Sequence, residues 1–509
     1  MEFNLKKTGH EYYEPVTFAP FSCETMRESI VPDSCADIAR VIDTTGRVCL
    51  TGQELTGDNR FCANGTVDVF VLYIPEKGDG PCALTFQLPF QCYGDGQGEG
   101  PVDFPTMHCE LQSIDTRVLN PRKVLTRVNL TLYPTGCRRV NLSVCTETAT
   151  ADDSIELLQE HRRTRVISAV REKEFPFVEE LTLSPGRDGV EEILSTRLDI
   201  RGTDSKLIGN KLVVKGTITA AVLYRQRGGG IGVLQQELPF SQIMDGNGLK
   251  EEWESDATFR LLHCDCRIGG ENGGDDSRTM TLSMTMASRV TVWRNEEIMF
   301  IADLYSTAAP VTCQTAEIIL SEDCRRQVKR INGRELLETG VAVKAVVDME
   351  ILCSSIRTTS GGDMWEIPVR ARCLYLDEND MLHSIRKSFS LTCPPEGDSA
   401  MQTTGWADCR GDVMASILPE GIELRFPVDC TVDTSRQGRY LCVSGGETVD
   451  DTETRSTPSV VLRKIGKGES LWSVAKQYRT TRRAILEANE ISEETQLPAD
   501  RLLLIPKAM

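Results

Sequence analysis

The side chains best suited to chemistry in this sequence are thiols and imidazoles that stand side by side. His108-Cys109 and His263-Cys264-Asp265-Cys266 are the tightest groups, and Asp408-Cys409 holds a related place further along. Cysteine and histidine bind zinc readily, usually as four ligands in tetrahedral array. Each group alone offers only two or three ligands, without the C-x₂₋₄-C spacing of a closed site. The expected role of these cysteines is therefore a buried position on a strand, with no metal. General bases are scarce, since the chain has five histidines: His10, His108, His161, His263 and His383. No G-x-S-x-G elbow, Walker-type phosphate loop or H-E-x-x-H pair occurs. The glycine runs at 228–230 and 269–274 lead into no helical pattern and read as hairpin turns. Asp152-Asp153 and Asp275-Asp276 read as solvated loop charge. The expectation is a chain with no catalytic residues and no cofactor, not an enzyme.

The elements that would carry these residues follow from composition and repetition. A chain of 509 residues is too long for one ordinary core, so three or four domains are expected. A net charge of −18 argues against a nucleic-acid binder, whose footprint is basic. The opening M-E-F-N-L-K-K-T-G-H-E-Y-Y-E-P-V has no apolar core of a secretory signal. No run of about 18 apolar residues is present to span a membrane. The nineteen cysteines are scattered, odd in number and free of C-x-x-C pairs. They are expected to be small apolar core residues in the reducing cytosol.

A repeat runs through the body. Residues 65–73 read G-T-V-D-V-F-V-L-Y, 216–224 read G-T-I-T-A-A-V-L-Y, and 367–375 read I-P-V-R-A-R-C-L-Y. The closing Leu-Tyr pairs fall at 72–73, 223–224 and 374–375, two equal steps of 151 residues. Val67, Val69, Val71 and Tyr73 thus correspond to Ile218, Ala220, Val222 and Tyr224, and to Val369, Ala371, Cys373 and Tyr375. Alternation with period two marks the buried face of a β-strand. The other face carries Thr66, Asp68, Thr217, Thr219, Arg370 and Arg372 and is expected to be partly wet. A turn and a return strand ending in L-P-F follow at 88–90 and 238–240, while the third copy has S-F-S-L at 388–391. Pro89 and Pro239 donate no ladder bond, so they should end a strand or lie on an edge. The fold expected is mainly β: three tandem antiparallel, sandwich-like domains at 1–165, 166–310 and 311–444.

Residues 445–459 are polar and aperiodic and read as a linker. Beyond them the pattern changes. A short strand is expected over 460–464, then a helix capped by Ser470 and running to Tyr478, with Leu471, Val474, Ala475 and Tyr478 on one stripe. Thr481 should cap a second helix to about Asn489, with Ile485, Leu486 and Ala488 inward. Leu502 to Ile505 should return as a strand ended by Pro506. The module, at 460–509, is β-α-α-β. Residues 459–509 hold nine Lys and Arg against six acids, which leaves the remaining 458 residues at −21. A basic module tethered to an acidic body suggests an acidic docking partner, with Arg479, Arg482 and Arg483 as the candidate patch.

This tail resembles the LysM domain. Gly468-Glu469-Ser470-Leu471-Trp472 stands for the family's G-D-T-L-W, and the S-V-A-K-Q-Y that follows, Ala488-Asn489 and Leu504-Ile505-Pro506 match in turn. The resemblance implies binding of N-acetylglucosamine-containing glycan through Gly468, Glu469, Ser470 and Leu471 and through Ile491 and Ser492. Glu469 in place of Asp and Asp500 in place of Gly depart from the pattern. The β units resemble the SPOCS domain of Firmicutes spore-coat and sporulation proteins. The residues that carry this are Ile30-Val31-Pro32-Asp33, Asp37-Ile38-Ala39-Arg40-Val41, Gly46-Arg47-Val48 with 65–73, and Glu192-Ile193-Leu194 with 216–224. Several SPOCS units before a LysM domain resemble a spore-coat morphogenesis family. That resemblance implies a non-enzymatic adaptor in the mother-cell cytoplasm, at the forespore surface, partnered by the stage-IV morphogenetic ATPase and other coat proteins. The competing expectation is a peptidoglycan-binding protein of the cell envelope.

Overall fold

The protein is seen here as a computed structural model that describes residues 4–78, 80–96, 101–149, 154–269, 277–359, 364–395, 402–449, 459–466, 469–491 and 502–506. The body repeats one wiring three times. Its first copy has β1 (Leu5–Thr17), β2 (Phe21–Ile30), β3 (Ile38–Leu55), β4 (Arg60–Pro75), β5 (Cys82–Asp95), β6 (Asp103–Asn120) and β7 (Lys123–Thr148). The second has β8 (Ile155–Thr182), β9 (Val190–Ile208), β10 (Lys211–Gln226), β11 (Ile231–Asp245), β12 (Glu254–Ile268) and β13 (Thr279–Ser306). The third has β14 (Val311–Glu338), β15 (Val343–Cys353), β16 (Arg357–Thr358), β17 (Trp365–Asp377), β18 (Leu382–Cys393), β19 (Gln402–Cys409), β20 (Met414–Leu418) and β21 (Gly421–Thr448). All the pairings between these strands are antiparallel.

Each unit folds one three-stranded sheet around its repeat strand: β3-β4-β5, β9-β10-β11 and β15-β17-β18, with β16 beside β17. Each builds a second sheet around its long last strand. β7 pairs with β1, β2 and β6; β13 with β8 and β12; β21 with β14, β19 and β20. The long sheets of the first two units are joined where Tyr13 meets Ile167. Inward residues of the repeat strand fill each unit's core: Val67, Val69, Val71 and Tyr73, then Ile218, Ala220, Val222 and Tyr224, are wholly buried. Pro89 and Pro239 lie on β5 and β11, edge strands of their sheets, the places where proline is tolerated. Gly229 and Gly230, both with positive φ, form the β10–β11 turn.

The second face of the repeat strands, expected to be partly wet, keeps Thr66, Thr217, Thr219 and Arg370 half-buried but is drier elsewhere. Asp68, Phe70, Leu72, Leu223, Arg372 and Leu374 on it are buried. The cause is that the three small sheets meet one another. Leu72, Leu223 and Leu374, the same position in each repeat, join one apolar cluster with Leu194, Ala83 and Leu382. Contacts between units run in a circle: β5 against β9, β11 against β15, and β18 back against β3. The far ends of β7, β13 and β21 also touch one another. Val144, Phe300 and Cys442 meet there in one cluster, and Cys145, Ile301 and Val443 in another. The body is therefore a closed ring of three.

Charged side chains lock the junction. Arg372 donates to Asp43 of the first unit and, at 2.8 Å, to Asp348 of its own. Arg197 of the second unit reaches Asp348 at 2.7 Å, and Arg386 reaches Asp43 at 2.5 Å. Burial alone would raise the pKa of Asp43, but Arg372 and Arg386 hold it below the usual carboxylate range. Asp348 is lowered likewise, against its burial, by Arg197 and Arg372. A second set of arginines clamps backbone carbonyls of the next unit. Arg47 donates to Cys264 O at 3.1 Å, Arg201 to Cys409 O at 2.7 Å, and Arg370 to Gln112 O at 2.6 Å.

Three further expectations change. Residues 445–448, expected in the linker, complete β21, because β14 begins opposite them and pairs Val311 with Thr448. One disulfide is present: Cys23 on β2 and Cys92 on β5 are joined across the first unit, while the other seventeen cysteines form none. The divide expected at 165/166 falls within β8, which pairs with β13 along its length, and that at 310/311 falls just before β14. Asp152-Asp153, Asp275-Asp276, 270–274 and 450–458 lie outside the described residues. Among the described residues, no helix is long and apolar enough to cross a membrane.

Candidate binding site in the tail module

The tail folds as β22 (Val460–Lys464), α1 (Leu471–Tyr478), α2 (Arg482–Ala488) and β23 (Leu502–Pro506). Ser470 caps α1: its Oγ accepts from Ser473 N at 3.1 Å. Thr481 caps α2 by accepting from Ala484 N at 3.0 Å. Leu471, Val474, Ala475 and Ile485 are buried in the module's core with Leu503 and Ile505. Ala488, expected inward, is exposed, because α2 ends there and the chain turns away at Asn489. Asn489 is a clip: its amide donates to Leu504 O at 2.7 Å and accepts from Leu504 N at 2.8 Å.

The residues expected to bind glycan divide into two kinds. Glu469 and Ser470 are exposed, whereas Leu471 and Ile491 are buried and support the loops from beneath. Gly468 and Ser492 lie outside the described residues. The Glu469 carboxylate is committed within the module: it accepts from Arg463 Nη2 at 2.6 Å and from Gly466 N at 2.9 Å. It therefore closes the loop before α1, as a capping acid does, and is not a free anion. The arginine patch is also partly occupied. Arg482 lies over the Trp472 ring at 5.3 Å, Arg483 pairs with Glu487 at 2.6 Å, and Arg479 ends α1 in the left-handed conformation.

The larger contact was not foreseen. Trp472 Nε1 donates to Asp303 Oδ2 on β13 at 2.8 Å, and Lys476 Nζ donates to both oxygens of Asp303 at 2.6 and 2.8 Å. Tyr305, two residues along the strand, donates its hydroxyl to Thr480 O at 2.8 Å. Its ring meets the indole edge-on at 4.9 Å, a favoured aromatic geometry. Burial drives the pKa of the Tyr305 hydroxyl well up, so it stays a donor. The basic module thus finds its acid on the body of its own chain. One signal for this was present in the sequence. Trp472 stands about 100° around α1 from Leu471, so it falls off the inward stripe, and Lys476 lies one turn further on the same face.

The thiol and imidazole groups are separated by their strands. His108 and His263 are exposed, while Cys264 beside the latter is buried, since successive residues on a strand face opposite ways. Burial pushes the thiols of Cys109 and Cys264 up to about 12, and those of Cys266 and Cys409 to about 11. Among the described residues, no three of His, Cys, Asp or Glu gather as a metal site.

A match to the LysM domain model covers residues 464–506. The tail module is a LysM domain. A match to the model described as SipL, SPOCS domain covers residues 189–269. That SPOCS domain spans β9 to β12, the small sheet of the second unit with the strand that follows it. Strands β3–β6 and β15–β19 repeat its wiring in the other two units. No curated protein and no solved structure matches the chain.

Proposed function

We propose that this chain is a non-enzymatic adaptor of spore-coat assembly that presents its LysM domain to coat proteins at the forespore surface. The observation that carries the reading is a LysM domain mounted on a ring of SPOCS-type units. SPOCS and LysM are non-catalytic binding modules. A partner suited to the reading is the stage-IV morphogenetic ATPase, met in the mother-cell cytoplasm together with coat basement-layer proteins. A fluorescent fusion imaged in a sporulating culture tests this. A shell around the forespore is expected, and uniform staining of the cell wall would sink the proposal.

A second reading, binding of N-acetylglucosamine-containing glycan, draws support from the exposed loop at Glu469 and Ser470. Titration of the full chain with chito-oligosaccharide separates the two. Micromolar binding abolished by Ser470→Trp would favour the glycan, and no binding would favour protein partners.

A further inference from the structure

The contact between LysM and ring is made of complementary spacings. Asp303 and Tyr305 are two apart on a strand, so both face the same way. Trp472 and Lys476 are four apart on a helix and form one face, extended by Thr480 beyond its end. One carboxylate satisfies an indole N–H and an ammonium together, and one phenol satisfies a backbone carbonyl. Arg482 on the indole face adds a second cation. The contact joins a buried aromatic pair, Tyr305 and Trp472, to an Asp303–Lys476 ion pair that stays partly open to water, and motion between domains is the default unless their interface is large and hydrophobic.

We infer that the Trp472–Lys476–Arg482 face of the LysM domain is a receptor for an extended segment carrying an acid and an aromatic residue two apart, and that Asp303 and Tyr305 fill it in cis. A protein partner for this face must offer the same D-x-Y chemistry and displace the body. Because Asp303 and Tyr305 belong to the same chain they compete intramolecularly, so a weak trans ligand is excluded until the latch is released. The exposed loop at Glu469 and Ser470 stays available in either state. This rests on reading the LysM domain as a protein-docking module. Imaging at the forespore tests that reading and peptide affinity tests this one, so either can fail alone.

The probe is a fluorescent peptide of residues 300–306, F-I-A-D-L-Y-S, titrated against the full chain. The D303A/Y305A chain is expected to bind it at least tenfold more tightly than the wild type, and adding Lys476→Ala should remove the gain. A peptide carrying Asp303→Asn should bind neither chain. Should D303A/Y305A fail to fold, Asp303→Asn alone is expected to raise affinity at least threefold. Equal affinity for released and wild-type chains, no binding to either, or binding indifferent to Lys476→Ala would overturn the inference.

Discussion

The ring junction and the LysM dock both rely on aspartate held by cations, yet they are built to different ends. At the junction Asp43, Asp348 and Arg372 are buried and bind residues from all three units. At the dock Asp303 and Lys476 remain partly exposed, with side-chain exposures of 29% and 42%. Losing one member of a buried network leaves the other charges stranded, whereas a half-exposed carboxylate is resolvated by water. The same residue type therefore makes a permanent joint in one place and a releasable one in the other.

The hardest test of that contrast is Arg372→Met. It should cost about 3–5 kcal/mol, because Asp43 and Asp348 lose their shared partner. In urea, the three units should lose stability together, while the dock stays closed below the transition. Independent unfolding of the third unit alone would break the comparison. A smaller effect is expected from acid. Asp43 and Asp348 have folded pKa values below their unfolded ones, so their contribution is present above the unfolded value of about 4 and is lost as pH falls through the folded value. Asp43→Asn should flatten the stability profile below about pH 4, as followed by urea midpoints. The smallest effect belongs to Arg483→Ala, whose exposed partner Glu487 lies one turn away. Its thermal midpoint should match the wild type, and a clear drop would mean that exposed pairs in this module matter more than the contrast allows.

How much of this was legible in sequence depends on the range of the interaction. The inward stripe of the repeat strands, the caps at Ser470 and Thr481 and the clip strand before Pro506 are local patterns, and each stands where periodicity put it. The second face of those strands was read as partly wet, which holds for Thr66, Thr217, Thr219 and Arg370 but not for Asp68 and Arg372, because nothing local says that another unit will cover them. Asp303 and Trp472 are 169 residues apart, and neither announces the other. Glu469 was read as a departure from a glycan-binding pattern. Its bonds to Arg463 and Gly466 give it a local structural role that residue type alone did not disclose.

The circular order of contacts has a consequence for the number of repeats. In an open stack, units can be gained or lost at either end, because each needs only its neighbours. Here β18 of the last unit returns to β3 of the first, so a fourth copy would have no vacant place and a loss would expose two unmatched sides. The third repeat is the most divergent, and at the positions of Asp68 and Phe70 it carries Arg370 and Arg372. Those arginines reach back to Gln112 and Asp43 of the first unit. Where the first repeat has Asp68 and Phe70, the third thus turns two arginines toward the first unit, and each of the three units occupies a side that the other two leave open.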